Sequence, residues 1–274
     1  MRHEINRAPM AVILASGIGT GLKPLTDEGP PGLLSVGGSA ILERMIRNCL
    51  SCGISQFVVV LGYRSDQVKQ FIDKTFRGIR VTYVMNDRYR DTGTGFALML
   101  AGAAIGNAEF VTFDADVLFD TKILRGLVDS DLENVLCIDR TGLPEKDAVK
   151  VVVDEDRRVI DVGTSVDAKA AIGQSIGIGK ISGDTGPLLF KELKQMMDNP
   201  AQYQATCNPA YAALIAGGRD FRGLDVTGMN WVKVDTGDSL SAANAMFASP
   251  ITTVSRGQQR ALDEATAKAE VPHE

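Results

Sequence analysis

Short apolar runs alternate with helix-like segments along the first half of the chain. Five runs are predicted strands, and two of them, MAVILA and FVVVLG, have the continuous apolar character of strands that are buried on both faces of a parallel sheet. The segments between them place apolar residues at helical spacing. This alternation with short links predicts an α/β fold with a doubly wound, mostly parallel sheet. The predicted strands are 10–15, 57–62, 81–85, 109–116 and 134–138, and the predicted helices are 41–50, 66–76, 95–104 and 122–128.

After residue 140 the regular alternation gives way to a hairpin and a few separate elements. The segment VKVVVDEDRRVIDV (149–162) has two apolar runs around a polar turn at Asp154 to Arg157, which is typical of a β-hairpin. The remaining predicted elements are strand 177–181, helix 187–197, strand 231–234 and helix 238–247.

These patterns divide the chain into one domain and a tail. We predict a single domain over residues 1–249, in which residues of about 140–230 form a small inserted β subregion. Residues 250–274 are polar and form a predicted tail with one helix at 258–269.

Composition narrows the classes of protein to which the chain can belong. Its 274 residues are 45% hydrophobic and 23% charged, as in ordinary globular proteins. The first residues lack a secretory signal and no apolar run is long enough for a membrane helix, so we expect a cytoplasmic protein without a membrane partner. The net charge of −5 argues against a nucleic-acid partner.

The few cysteines and histidines argue against zinc and against histidine-based catalysis. Cys49 and Cys52 form a CxxC spacing, but it lies inside a predicted helix and no second pair follows, so we interpret them as buried thiols. The two histidines, His3 and His273, lie in terminal segments, which disfavours Ser-His or Cys-His catalysis.

A glycine-rich segment directly after the first predicted strand carries the strongest functional signal. Glycines there allow backbone N–H groups to approach phosphate oxygens closely. The spacing fits neither GxGxxG cleanly nor a P-loop, which would end in Lys-Ser or Lys-Thr. The loop alone is therefore weak evidence for a nucleotide site.

The longer run LASGIGTGLKPLTDEGPPGLLSVGG, from Leu14 to Gly38, resembles the signature LAAGxGTRLxPLTxxxPKxLLxVxGxPIL of the sugar-phosphate nucleotidyltransferases. The stretch from Asn86 to Thr94 is most similar to the branch of phosphocholine and alcohol-phosphate cytidylyltransferases. Positions that match the signature in register are Leu14, Ala15, Gly17, Gly19, Thr20, Leu22, Pro24, Leu25, Thr26, Pro30, Leu33, Leu34, Val36, Gly38, Ile41 and Leu42.

The resemblance implies a Rossmann-like nucleotidyltransferase fold and a reaction. A phosphorylated sugar or alcohol would attack the α-phosphate of a nucleoside triphosphate, with CTP favoured, and release pyrophosphate. Such chemistry needs alignment and neutralisation of negative charge. The nucleotide-binding residues that the resemblance implies are Leu14, Ala15, Ser16, Gly17, Gly19, Thr20, Asn86, Gly93 and Thr94.

Two acids match the metal-binding positions of that family. Asp116, in a DAD motif at a strand end, and Asp235, in the WVKVDTGD run, are the predicted ligands of Mg²⁺. Asp114 is equally well explained as a strand-end acid, and Asp238 as the N-cap of the last helix. Trp231 is interpreted as a packing residue.

The sequence departs from the family where positive charge is expected. Gly21 and Pro31 replace an Arg and a Lys of the signature, and Gln174 replaces a Glu on the acceptor side. A further Lys of relatives corresponds to Gly163 or Thr164. As substitutes the sequence offers Lys23 for catalysis, and Lys150, Gln174 and Lys180 for binding the acceptor.

Two hypotheses follow, and a third is disfavoured. The chain is either a working nucleotidyltransferase or a catalytically impaired relative that binds a nucleotide or sugar nucleotide. Assembly as a homodimer is compatible with the first hypothesis. An NAD(P)-binding oxidoreductase would require an acid at the end of the second strand, where Gly62, Tyr63 and Arg64 stand instead.

Overall fold

The computed structural model describes residues 8–142 and 147–249, which fold around one large sheet. The strands are β1 (Met10–Ala15), β2 (Ser35–Val36), β3 (Ser39–Ala40), β4 (Gln56–Leu61), β5 (Arg80–Met85), β6 (Phe110–Asp114), β7 (Val117–Phe119), β8 (Val135–Asp139), β9 (Lys150–Val153), β10 (Val159–Gly163), β11 (Gly173–Ile181), β12 (Arg222–Asp225) and β13 (Trp231–Lys233). The helices are α1 (Ile41–Ser51), α2 (Ser65–Thr75), α3 (Thr94–Ile105), α4 (Thr121–Val128), α5 (Gly186–Met197), α6 (Asn208–Ala216) and α7 (Gly237–Met246).

The half of the sheet that carries the glycine-rich loop is parallel, in the order β6-β1-β4-β5. Side chains of β1 alternate between two cores: Ile13 packs with α1 and α2 on one face, and Val12 packs with α3 on the other. Both residues are fully buried. The apolar runs of the sequence are therefore strands covered by helices on both faces, and the predicted doubly wound sheet is confirmed for this half.

The other half of the sheet is mixed and forms the predicted β subregion. β11 runs antiparallel to β6, β8 and β9, and β8 pairs in parallel with β12. β9 and β10 form the antiparallel hairpin that the sequence predicts over 149–162. This half continues from β6, so both halves share one sheet.

Several elements depart from the sequence-based prediction, among them the two-residue strands β2 and β3, which were not predicted. The predicted strand 109–116 is two strands, because β6 ends at Asp114 and the chain turns before β7, which pairs with β13 instead of extending the sheet. Helix α6 was missed because its short segment NPAYAALIA has apolar residues on most sides and no clear helical stripe. β12 was missed because the segment RGLD lacks an apolar run.

A smaller correction concerns the start of α7. Thr236, not Asp238, is the N-cap: its hydroxyl accepts a hydrogen bond from the Ser239 N–H, and the Ser239 side chain returns a capping contact. Asp238 lies in the first turn of the helix. The chain around Asp235 is thereby held in a defined conformation.

Several predicted features lie outside the described residues, namely the tail 250–274 with its helix 258–269, and both histidines. Cys49 is a buried free thiol, as predicted, and Cys52 is a partly buried one. None of the helices within 8–142 and 147–249 combines the length and apolar character needed to cross a bilayer.

Candidate active site

The glycine-rich loop leaves β1 at Ala15 and turns back over the end of the sheet. Gly19 has a left-handed backbone (φ 67°), and its carbonyl accepts a hydrogen bond from the buried Thr26 hydroxyl at 2.9 Å. A Cβ on Gly17 would meet nothing within 4 Å. The loop is therefore held at Gly19 and leaves open space at Gly17.

The sheet register brings an acid next to this loop. Asp114, at the end of β6, pairs with Leu14 of β1, and the Ala115 N–H donates to the Leu14 carbonyl at 3.3 Å. Asp116 follows in the turn before β7. The carboxyl ends of the central strands thus place both acids beside the loop, where ligands collect in open α/β sheets.

A short antiparallel pair brings the second predicted metal ligand to the first. Lys233 of β13 pairs with Val117 of β7, and the Val234 N–H donates to the Asp116 carbonyl at 2.8 Å. Asp235 is the next residue, and its N–H donates to the Ser239 hydroxyl at 3.0 Å. Residues far apart in sequence therefore meet at one edge of the sheet.

These segments enclose a cavity of about 350 Å³. It contains the loop, both predicted metal ligands and most of the predicted nucleotide-binding residues. The predicted residues that line it are Leu14, Ala15, Ser16, Gly17, Gly19, Thr20, Gly93, Thr94, Asp116 and Asp235.

Asn86 is the predicted nucleotide-binding residue that does not line this cavity. It is fully buried, its amide donates to the Thr92 hydroxyl at 3.0 Å, and its carbonyl oxygen accepts from the Arg88 N–H at 3.1 Å. Thr92 itself lines the cavity. Asn86 therefore positions the Thr92 to Thr94 segment, and direct contact with a nucleotide is not supported by its burial.

A second cavity, of about 630 Å³, lies on the other side of Asp114. Five residues line both cavities. They are Leu14, Thr94, Asp114, Lys233 and Asp235. The second cavity is bordered by β11, by the start of α6 and by Trp231, which also donates to Asp139 at 2.9 Å. The two cavities thus meet at the acids.

The three lysines that were predicted as substitutes line neither cavity. Lys23 pairs with Asp27 at 3.4 Å, with more than half of each side chain exposed, and lines neither cavity. Lys180 is buried and donates to the Ser130 carbonyl. Lys150 is buried as well and donates to the Thr164 carbonyl at 2.6 Å.

Lys150 and Lys180 are buried, and each donates to the backbone carbonyl of a residue distant in sequence, Thr164 and Ser130 respectively, which a sequence does not reveal. Gln174, by contrast, lines the second cavity, as an acceptor-binding residue would. Lys233 was not singled out from the sequence, although it precedes Asp235 by two residues in the WVKVDTGD run.

Comparison with known proteins agrees with this geometry. Residues 10–139 match the family model described as nucleotidyl transferase. This segment is therefore similar to nucleotidyl transferases. It contains the glycine-rich loop, both acids of the DAD motif and the four parallel strands.

The chain is similar to several curated enzymes over part of their length. It is 33% identical over 150 residues to the bifunctional IPC transferase and DIPP synthase of Aquifex aeolicus, covering 54% of this chain and 33% of that protein. It is 29% identical over 160 residues to the choline-phosphate cytidylyltransferase of Streptococcus pneumoniae, covering 58% and 65%. The chain spans between about a third and two thirds of the length of the curated relatives it matches.

A solved structure supports the fold over more of the chain. The inositol-1-phosphate CTP transferase from T. maritima has a TM-score of 0.73 and 18% identity, covering 88% of this chain and 96% of that one. The nucleotidyl transferase fold therefore includes the mixed half of the sheet.

The two positions where the family signature has cations are closed by packing in this chain. A Cβ on Gly21 would lie 2.4 Å from the Asp235 carbonyl oxygen. A Cβ on Gly19 would lie 2.3 Å from Cγ of Pro31, so the proline ring covers the loop glycine. Both contacts hold the loop close to its neighbours, and neither Gly21 nor Pro31 brings a charge.

The acids at this site have unusual electrostatics. Burial raises the pKa of the Asp116 carboxyl to about 7; the nearby Lys233 ammonium opposes this rise, and Asp114 adds to it. Burial also raises the pKa of Asp114. Asp116 raises the pKa of Lys233 above its ordinary value. The site therefore carries a surplus of carboxylates in a poorly solvated position.

The Asp116 and Asp235 side chains fit the divalent metal that the family implies. Oδ1 of Asp116 is buried and has no hydrogen-bond partner among the described residues. Within 8–142 and 147–249 no group of three or more Asp, Glu, His or Cys side chains could hold a metal. Two carboxylates can still serve a Mg²⁺ ion whose other ligands are phosphate oxygens and water.

The close contact of Gly21 generates a prediction about packing. Gly21→Ala should lower the free energy of unfolding by about 1–3 kcal/mol, because the new methyl group displaces the Asp235 backbone. Gly237→Ala is the matched control, since its Cβ would meet nothing within 4 Å, and its stability should stay within about 0.5 kcal/mol of wild type. Urea unfolding measures both, and equal stabilities for the two variants would contradict the contact.

A second prediction concerns pH. Because the folded-state pKa of Asp116 is raised, ionisation of this carboxyl costs stability as pH rises from about 4 to above 7. Asp116→Asn should therefore stabilise the metal-free protein at pH 8, by an amount on the order of 2 kcal/mol, and much less at pH 5.

Urea unfolding in EDTA at the two pH values checks this. The charge control is Asp238→Asn, which removes an exposed acid that lines neither cavity. An Asp116→Asn effect that is equal at pH 5 and pH 8 would show that the Asp116 carboxyl does not titrate in this range.

Proposed function

We propose that this protein transfers a nucleoside monophosphate from a nucleoside triphosphate, CTP by preference, to a phosphorylated sugar or alcohol with release of pyrophosphate. The observation that carries the proposal is that the loop cavity and the second cavity meet at Asp114, Lys233 and Asp235. A triphosphate in the first cavity and a phosphorylated acceptor in the second would face each other there.

In the proposed step, an oxygen of the acceptor phosphate attacks the α-phosphorus of the triphosphate. A new P–O bond forms, the bond between the α- and β-phosphates breaks, and pyrophosphate leaves. The protein's task is to align the two phosphates and to neutralise charge. A bound Mg²⁺ would supply Lewis-acid neutralisation of the phosphate oxygens, held by Asp116 and Asp235.

The nucleotide side of the proposal depends on the backbone around β1 and α3. The open space at Gly17 admits phosphate oxygens next to the loop N–H groups. Thr92, Gly93 and Thr94 border the same cavity, and Gly93 is fixed by a hydrogen bond from its N–H to the Tyr203 carbonyl at 2.7 Å. CTP is favoured because one relative, 29% identical over 160 residues, is named as a choline-phosphate cytidylyltransferase.

The acceptor side is rich in hydroxyl and amide groups. Tyr211 lines it, and the Tyr211 hydroxyl is buried and makes no hydrogen bond within the described residues, although Thr112 and Cys207 lie near it. The start of α6 and Gln174 also border this cavity. An acceptor with hydroxyl groups would satisfy Tyr211, whereas a quaternary ammonium would call for an aromatic cage.

A second candidate is a nucleotide-binding protein with impaired catalysis. It is favoured by the absence of side-chain charge at Gly21 and Pro31, since loss of one such contact costs on the order of a hundredfold in rate. The same residues would then bind a nucleotide or sugar nucleotide without turnover.

The two candidates are separated by pyrophosphate release. The protein is incubated with Mg²⁺, each of CTP, UTP, GTP and ATP, and a panel of sugar, cyclitol and alcohol phosphates. We expect release with CTP and loss on the order of a hundredfold in Asp235→Asn, because the metal loses a ligand. Asp238→Asn, three residues away, is the matched control and should keep wild-type activity. Calorimetric binding of CTP without release across the panel would support the second candidate.

The buried hydroxyl of Tyr211, which lines the second cavity, generates another prediction. Tyr211→Phe should raise KM for the acceptor about fivefold and leave KM for the triphosphate unchanged, because one hydrogen bond to the acceptor is lost. Tyr83→Phe, which removes a hydroxyl that bonds to Asp73 at 2.7 Å outside both cavities, is the control. Equal effects on the KM for the acceptor and the KM for the triphosphate would show that Tyr211 does not bind the acceptor.

A further inference from the structure

Lys233 is the only Lys or Arg among the described residues that line the two cavities. The signature positions that would supply cations are Gly21 and Pro31, and both line the loop cavity without a charge. Among the described residues of the two linings, Lys233 is therefore the side chain that can bring a positive charge to a bound polyphosphate.

The surroundings of Lys233 are acidic. Its Nζ lies 4.0 Å from Oδ2 of Asp116, at the outer limit of an ion pair. Asp114 and Asp235 act on the same ammonium electrostatically. The backbone of Lys233 is fixed by its pairing with Val117, but 48% of its side chain is exposed. The ammonium can therefore change partners while its strand stays in place.

Asp116 has one oxygen that Lys233 approaches and another that has no partner. Oδ1 is buried and unpaired within the described residues, whereas Oδ2 faces the ammonium. An isolated buried carboxylate oxygen is costly. One lysine cannot satisfy Asp116 and its neighbouring acids together, so this arrangement is suited to accept a further cation.

We propose that the Lys233 ammonium and a divalent metal are alternative partners of Asp116. In the metal-free protein the ammonium neutralises the carboxylate. When a metal–triphosphate complex enters, the metal takes the carboxylate, and the ammonium turns to phosphate oxygens at the junction of the two cavities. Lys233 then supplies the positive charge that Gly21 and Pro31 lack. The role in transfer rests on the proposed function, whereas the exchange of partners does not.

Removal of Lys233 distinguishes the proposed exchange from a purely structural ion pair, because the two predict different signs for the change in binding affinity. If Lys233 only stabilises the fold, its removal weakens every binding event. If it competes with the metal and then holds phosphate, its removal strengthens binding of the metal alone and weakens binding of the metal–triphosphate complex. Opposite signs in one variant are therefore diagnostic.

The test uses calorimetry on the full chain with Lys233→Met, Lys233→Gln and Lys233→Arg. Mg²⁺ alone should bind about tenfold more tightly to the Met and Gln variants than to wild type, because a competing charge is gone. The Mg²⁺ complex of CTP, or of whichever of the four triphosphates wild type binds, should bind about tenfold more weakly. Lys233→Arg should retain most of that second affinity.

Lys191→Met, an exposed lysine on α5 outside both cavities, is the matched control and should match wild type in both titrations. Unchanged or weaker Mg²⁺ binding in both neutral variants, or unchanged binding of the complex, overturns the proposal. Two neutral variants keep the test decisive if one of them folds poorly.

The outcomes also separate this proposal from the proposed function. Absence of pyrophosphate release by wild type would contradict transfer while the titrations still decide the exchange. Suppose that wild type releases pyrophosphate and that Lys233→Met binds its ligands and reacts as wild type does. The proposed transferase function would then stand, and the proposed role of Lys233 would be overturned.

Discussion

The site depends on the short antiparallel pairing of β7 with β13. The hydrogen bond from the Val234 N–H to the Asp116 carbonyl fixes the two predicted metal ligands, which the chain separates widely, at one edge of the sheet. The same pairing brings Lys233 to within 4.0 Å of Asp116 and the Asp235 carbonyl against Gly21. Without this pairing neither cavity would have its shared wall.

Close backbone packing is found at the two positions where the signature that this sequence resembles has a cationic side chain. Gly21 allows the loop to approach the Asp235 segment, and Pro31 covers Gly19. These contacts pre-form the loop, but they leave the neutralisation of a polyphosphate to a metal and to Lys233. Burial of Asp116 raises the free energy of its ionised carboxylate in the ligand-free protein, and this favours binding of cations. Stability and ligand binding are therefore opposed at this edge of the sheet, as is common at functional sites.

Some of this site could be read from sequence because its signals are local. The continuous apolar run of β1, the glycines that follow it and the acids after the fourth predicted strand stand in short segments, whereas the register of Leu14 with Asp114 came from the structure. The substitutes for the lost cations could not be read in this way. Lys150 and Lys180 are buried and donate to backbone carbonyls, whereas Lys233 is half exposed and lines both cavities.

The sequence by itself determined the parallel strands, the covering helices and the loop, because apolar periodicity and glycine placement act within a few residues. Only the tertiary structure decided that β6 ends at Asp114, that α6 places Tyr211 in the lining of the second cavity, and that Asn86 supports Thr92 from inside the core. Each of these depends on contacts between segments far apart in the chain. Such contacts are selected by the packing of the whole domain, which no local pattern records.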